Sequence, residues 1–309
     1  VSAQTTRILP YGPEAIAEAA RLIGEGEIVA VPTETVYGLA ADATNAEAVA
    51  RIYAAKGRPR FNPLIVHVPS LAAAERLGRF DAAARAAAEC WWPGALTIVV
   101  PLRADARIAP AVTAGLDTVA LRCPASAAMQ DLLRACALPL AAPSANASGA
   151  VSPTTAEHVL AGLGGRVPLI LDGGPTALGL ESTIVAFDGG RPRLLRAGPV
   201  AIDAEAEARP ATIEAPGQMA SHYAPGKPLR LDAVQAAEDE WLIGFGPVAG
   251  DDTLSAAGDL DEAARNLFAA LHRADAAPRP RIAVAPVPRA GIGAAINDRL
   301  TRAAAPKEE

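Results

Sequence analysis

Positive charge in this chain is written as arginine almost everywhere. Of 28 Lys and Arg residues only three are lysine, Lys56, Lys227 and Lys307. Lys56 stands in KGRPRFNPL (56–64), beside Arg58, Arg60 and Asn62. A compact ammonium at this point, in a chain that otherwise prefers guanidinium, is a chemical choice. Other polar side chains sit in short loops marked by Pro and Gly. Thr33, Glu34 and Thr35 belong to PTETVYGLA (32–40), and Arg122 ends TVALR. Ser144, Asn146 and Ser148 belong to PSANASG, Glu181, Ser182 and Thr183 to GLESTIV, and Arg196 to LLRAG. One ammonium, several guanidinium forks and small hydroxyl and amide groups suit an anionic, phosphorylated ligand: cations neutralise it and loop groups orient it. The four histidines lie away from any nucleophile-type loop. Catalysis by positioning and charge stabilisation is therefore expected rather than a covalent intermediate.

Each signal taken singly has an ordinary reading. SANASG is also good turn chemistry, and His67 inside LIVHV fits a satisfied core histidine. Arg122 and Arg196 fit solvated strand ends, WWPG fits packing plus a turn, and His222 and Tyr223 fit incidental loop positions. A phosphate-binding P-loop is excluded, because no GxxxxGK followed by Ser or Thr occurs. GIGAAI (291–296) starts like a dinucleotide fingerprint but lacks its last glycine. No His/Cys spacing indicates a structural metal, so no metal ligand is assigned.

The elements that must position these residues follow from pattern. Helices are expected over 13–25, 45–55 with Asn45 as N-cap, 81–92, 126–136 and 155–162. Strands are expected over 27–33, 64–68, 96–100, 117–124, 168–172, 182–187 and 193–195, with a further strand from 139 running into the SANASG loop. Helices and strands interleave, with extra strand–strand neighbours, so the class is α/β with an open mixed sheet. The unusual residues fall at strand ends, where ligand crevices of such sheets lie. Residues 203–228, rich in Ala, Glu and Pro without a clear period, read as a linker between units at 1–202 and 229–309. The last unit reads as a small Rossmann-like α/β domain: strands near 229–232, 241–246 and 281–287, helices at 259–273 and near 293–304. At about 80 residues it is near the lower limit for an independent core.

Composition sets outer bounds. Hydrophobic content of 51% supplies a core. A net charge of −6 argues against a general nucleic-acid binder while leaving room for a local basic groove. No signal-peptide core or membrane-length apolar run is seen, and three cysteines without CxxC spacing suggest a reducing, cytoplasmic setting.

Seven motifs occur in order: PTETVYGLA, KGRPRFNPLIVHV, WPGALT, TVALRCP, PSANASG, GLESTIV and LLRAG. Together they resemble the YrdC-like family of threonylcarbamoyl-AMP synthases, densely over about residues 10–200. PGQMASHYAP and the tail GIGAAINDRLTRAA resemble the linker and C-terminal domain of the family's long form. The resemblance implies a YrdC-like fold and condensation of L-threonine, bicarbonate or CO2 and ATP, with Mg2+, to threonylcarbamoyl-AMP and pyrophosphate. It also implies hand-off of the product to the tRNA threonylcarbamoyl-transfer machinery, with direct tRNA binding permitted but not required. It implies catalytic roles for Lys56, Arg58, Ser144 and Asn146. Threonine contacts would be Thr35, His67, Arg122, Ala142 and Ser182. ATP contacts would be Arg58, Asn62, Thr118, Ser144, Ser152, Arg196 and Tyr223. Two other functions compete: a non-catalytic RNA-binding module and the related carbamoyltransferase of hydrogenase maturation. Arg60 and Phe61 make the 56–64 loop bulkier and more basic than the family pattern.

Overall fold

The computed structural model describes residues 5–189, 191–206, 213–219 and 221–306. The first half opens with β1 (Arg7–Pro10), α1 (Pro13–Gly24), β2 (Val29–Pro32) and β3 (Tyr37–Asp42). β2 and β3 form an antiparallel hairpin in the register Val29↔Ala40 to Pro32↔Tyr37. In sequence PTETVYGLA reads as a loop, with Pro32 as a strand stop. Pro32 does end its strand, but the chain turns within 33–36 and pairs straight back. Thr33 Oγ1 makes that turn: it accepts from the Thr35 and Val36 N–H groups and donates to the Val36 carbonyl at 2.6 Å.

Then comes α2 (Ala46–Lys56). Asn45 caps it by accepting from Glu47 N and Ala48 N, and Gly57 ends it at φ 61°, a left-handed turn that favours glycine. Helix and caps thereby fix Lys56 in the last turn and Arg58 just beyond. The chain continues through β4 (Ile65–His67), α3 (Leu71–Ala74), α4 (Ala82–Trp91), β5 (Leu96–Pro101), α5 (Pro110–Thr113) and β6 (Thr118–Arg122). α6 (Ala127–Cys136), β7 (Leu140–Ala141), α7 (Ala156–Leu163), β8 (Leu169–Asp172), β9 (Thr183–Ala186), β10 (Arg193–Arg196) and β11 (Glu205–Ala206) complete this half. Among the described residues these strands form one mixed sheet in the order β1-β8-β2-β3-β7-β4-β6-β5-β9-β10-β11.

Three registers matter for the site. β4 runs parallel to β6 with His67 opposite Arg122. β7 is antiparallel to β4 and leads into the 142–150 loop. β5 runs parallel to β9 with Leu96 opposite Thr183, which sets Thr97 beside Ser182.

The second half contains β12 (Leu229–Arg230), β13 (Glu240–Gly244), β14 (Asp252–Thr253), α8 (Leu260–Ala276), β15 (Arg281–Val284) and α9 (Gly293–Ala304). Its sheet is all parallel, ordered β12-β15-β13-β14. Its core, with Leu267, Phe268, Leu271, Ile282, Val284 and Leu300, also takes in Val36, Val151, Leu180 and Tyr223 from earlier in the chain. Within the stretch read as a linker, residues 207–212 and 220 lie outside the described residues; of the rest, β11 pairs with β10, and Ala215 and Tyr223 are fully buried. Aperiodic sequence rich in Ala, Glu and Pro gave no sign of this, because these contacts are made with distant parts of the chain. Among the described residues no helix is long and apolar enough to cross a membrane.

Candidate active site

One cavity collects residues from six of the seven motifs. It is lined by Thr33, Thr35, Val36, Gly38, Arg58, Ile65, His67, Arg122, Ala142, Pro143, Ser144, Glu181, Ser182, Arg196, Pro216, Gly217, His222 and Tyr223. Its free volume is about 40 Å³, room for about three waters. A larger cavity of about 590 Å³ opens beyond the 144–150 loop and the 219–226 segment, with Asn146, Ser148, His158, Met219, Ser221 and His272 among its lining.

The floor is a hydroxyl and guanidinium network. Arg122, 4% exposed, donates from Nη1 to Thr35 Oγ1 (2.9 Å) and from Nη2 to Glu34 Oε1 (2.6 Å). Thr35 and Thr33 hydroxyls lie 2.8 Å apart, and Ser182 and Thr97 hydroxyls 2.7 Å apart. Glu34 is largely desolvated, which raises a carboxyl pKa, yet the Arg122 charge and hydrogen bond hold it below the usual value. His67 sits beside Arg122 with Nδ1 unpartnered. Burial, with the Arg122 charge adding, lowers its pKa to about 3. At neutral pH it is therefore an uncharged imidazole.

The opposite wall is cationic. Arg58 donates from Nε to the Asn62 carbonyl and from Nη2 to Asn62 Oδ1 (2.6 Å) and the Pro63 carbonyl. Burial lowers its pKa to about 10. Arg196 donates to the Ser182 carbonyl, Ser182 Oγ and the Pro216 carbonyl. Lys56 Nζ donates to the Ser144 and Asn146 carbonyls, both at 2.6 Å, and lies 3.4 Å from Asn146 Oδ1. Burial, then the Arg58 charge, pulls the Lys56 pKa well down. All three cations are buried, yet every acceptor named here is a neutral carbonyl, amide or hydroxyl oxygen. Burying charge without a counter-charge is costly, so the wall is built for an anion.

The roof is His222 and Tyr223. His222 packs edge-on to Tyr223 at 4.0 Å between ring centroids. Burial, with Arg58, Lys56, Arg196 and Arg299 around it, drives the His222 ring neutral. His222 Nδ1 and the Tyr223 hydroxyl are buried without partners. Orphaned polar atoms facing one cavity mark a place where ligand groups complete the bonding.

Of the sequence-predicted residues, Thr35, Arg58, His67, Arg122, Ala142, Ser144, Ser182, Arg196 and Tyr223 line the cavity. Lys56, Asn62, Asn146 and Ser152 stand directly behind it. Asn62 Oδ1 holds Arg58, Asn146 Nδ2 donates to the Ala147 and Ala150 carbonyls, and Ser152 Oγ donates to Glu181 Oε1 at 2.5 Å. Thr118 lies at the far end of β6 from Arg122, about 13 Å along the strand, opposite Pro101. Arg60 is exposed and does not line the cavity. Sequence reasoning undervalued Glu34, whose place inside PTETVYG was the available signal, and His222, which it read as incidental. It missed Arg299, for which no local signal exists.

The histidines make a pH prediction. In the unfolded chain they take up protons below about pH 6.5, whereas folded His67 stays neutral down to about 3 and His158, also lowered by burial, to about 4. Proton uptake then favours the unfolded chain, so stability is fullest above pH 6.5 and falls as pH drops toward 4. His67 alone contributes a slope of about 1.4 kcal/mol per pH unit. Thermal melts across pH 7.5 to 4.5 should show this decline, and a flat profile would contradict the buried neutral ring.

Comparison with known proteins places this geometry. A family model described as "Telomere recombination", covering the Sua5, YciO and YrdC proteins, matches residues 21–198. A second, described as "Threonylcarbamoyl-AMP synthase, C-terminal domain", matches residues 193–305. A Bacillus subtilis protein named threonylcarbamoyl-AMP synthase is 40% identical, over 94% of this chain and 92% of its own length. One of the same name from Pyrococcus abyssi is 38% identical, over 92% of each. The crystal structure of P. abyssi Sua5 complexed with L-threonine superposes with a TM-score of 0.88 at 35% identity, over 97% of both chains.

Proposed function

This chain belongs to the threonylcarbamoyl-AMP synthase family, and from that premise we propose that it condenses L-threonine, bicarbonate or CO2 and ATP to threonylcarbamoyl-AMP and pyrophosphate. This makes it a transferase of the nucleotidyl type, acting in the cytoplasm on the route to tRNA modification. The observation that carries the reading is the juxtaposition of the hydroxyl, Arg122 and neutral His67 floor with three buried cations whose hydrogen bonds, among the described residues, go to neutral oxygens. The floor suits a small hydroxy-amino acid and the cations suit a triphosphate. Neither an RNA-binding module nor the hydrogenase-type carbamoyltransferase is favoured, since both halves of the chain match synthase relatives.

In the reaction we infer, the threonine amine forms an N–C bond to CO2, releasing a proton and giving a carbamate. With bicarbonate the same bond expels hydroxide, which takes up that proton as water. A carbamate oxygen then bonds to the α-phosphorus of ATP while the bond from that phosphorus to the bridging oxygen breaks, releasing pyrophosphate. Arg122 has two donor hydrogens beyond its Glu34, Thr35 and Gly94 contacts to offer the threonine carboxylate. Thr35 and Ser182 orient the amino acid. His67, with a pKa of about 3, accepts or donates a hydrogen bond but is too weak a base to take the amine proton. Arg58 and Arg196 face the phosphates and stabilise charge that grows on the leaving pyrophosphate. Lys56, whose three hydrogens already point at loop 144–146, acts by holding Ser144 in place.

Among the described residues no group of three or more His, Cys, Asp and Glu could hold a metal. The cavity's carboxylates, Glu34 and Glu181, are already ion-paired. The described residues do not form a magnesium cage, so Mg2+ would enter with ATP as part of the substrate. ATP exceeds the cavity's free volume of about 40 Å³, so groups that line it must move for ATP to bind. The test is pyrophosphate release on omission of each substrate. It should require threonine and bicarbonate together, and release independent of either would defeat the assignment.

A further inference from the structure

We propose that Arg299, on α9, is a positioning residue for the nucleotide side of the active site, so that the C-terminal unit completes the site and does not merely adjoin it. This rests on the functional reading above.

Arg299 is 0% exposed. Its Nε donates to Glu181 Oε2 at 3.0 Å, and Glu181 lines the cavity. The other Glu181 oxygen accepts from Ser152 Oγ at 2.5 Å. The Ser152 carbonyl is itself 3.1 Å from His272 Nε2, on α8, so that nitrogen is the donor. Ser152 is thus gripped at both ends by the C-terminal unit, once directly and once through Glu181.

The second contact concerns the roof. The Arg299 guanidinium carbon lies 5.3 Å from the centre of the Tyr223 ring, within cation–π range. Phe268 of α8 stacks on the same ring at 5.6 Å. Tyr223 has φ 61°, a backbone conformation that a bulky residue keeps only when its surroundings impose it. α8 and α9 together supply those surroundings. Arg302 Nη1 donates to the Met219 carbonyl at 2.5 Å, and the Arg302 carbonyl accepts from His222 N. An ion pair serving only to join two units would contact any facing surface. Both cross-unit contacts of Arg299 are instead with groups that line the cavity.

Arg299→Lys keeps the charge and removes the planar fork that reaches Glu181 and covers the ring. A shift of about 1 Å in Ser152 and Tyr223 should lower kcat/KM for ATP about 100-fold. Threonine affinity, set on the floor by Arg122, should stay within about twofold, inside the scatter expected for an uncoupled site. Steady-state kinetics in ATP at saturating threonine, with calorimetric threonine binding, reads both. Equal weakening of the two, or unchanged ATP kinetics with only a lower Tm, overturns the proposal. Should Arg299→Lys fail to fold, Ser152→Ala carries the test, since it leaves the ion pair and ring contact intact. It should show the same ATP-selective loss, and normal ATP kinetics there overturns the proposal too. Wild-type pyrophosphate release is the control: its absence removes both readings, and its presence beside an unaffected Arg299→Lys removes this one alone.

Discussion

Lys56→Ala is expected to lose pyrophosphate release by at least about 100-fold, as displaced catalytic geometry does, and Lys56→Arg is expected to do no better. Lys56 is 3% exposed, and its ammonium bonds two peptide carbonyls at 2.6 Å. Its own carbonyl accepts from Ser148 N at 2.7 Å. Lysine therefore ties the end of α2 to the 144–148 loop by backbone and side chain together. Removing it leaves buried carbonyls unsatisfied, at about 1–3 kcal/mol each, and frees Ser144 from its place on the cavity wall. Arginine carries the charge but presents a flat fork too large for so short a cage. The pair of variants separates two accounts of the lone lysine. If Lys56 served only as positive charge for the phosphates, arginine would restore much of the activity. Pyrophosphate release, with a melting curve to confirm folding, decides between them.

Arg122→Met should weaken threonine binding about 30-fold or more and also destabilise the fold. Arg122 and Glu34 are 4% and 12% exposed in their side chains and 2.6 Å apart. Breaking such a pair leaves an uncompensated buried carboxylate, at a cost of about 3–5 kcal/mol. Adding Glu34→Gln removes that charge, so the double variant should recover most of the lost stability. It should not recover threonine. A lost charge-assisted contact to a carboxylate is worth about 2 kcal/mol or more, about 30-fold in affinity. Calorimetry on the single and double variants reads this directly. Threonine binding that returned with stability would show that Arg122 acts through the fold alone.

The fold class was legible because alternating helix and strand patterns are local, and the cap at Asn45 behaves as its chemistry demands. The loops holding Arg58, Arg122, Ser144, Ser182 and Arg196 were legible as a set, since cations and hydroxyls at strand ends have few bland uses together. What brings them into one cavity was not. The His67–Arg122 pairing depends on β4 lying parallel to β6, a long-range register that no local pattern encodes. β3 was hidden by Pro32, which ends a strand whether the chain then wanders or turns back. The packing of residues 213–226 and the reach of Arg299 come from the second unit's core closing over Tyr223. A buried arginine in an amphipathic helix looks in sequence like any solvated one.

The most direct measurement follows labelled bicarbonate. With ATP and threonine present, the label should appear in an adenylate holding AMP, carbonate carbon and threonine in equal amounts, formed together with one pyrophosphate. Pyrophosphate released without label in a threonine-containing adenylate would contradict the account.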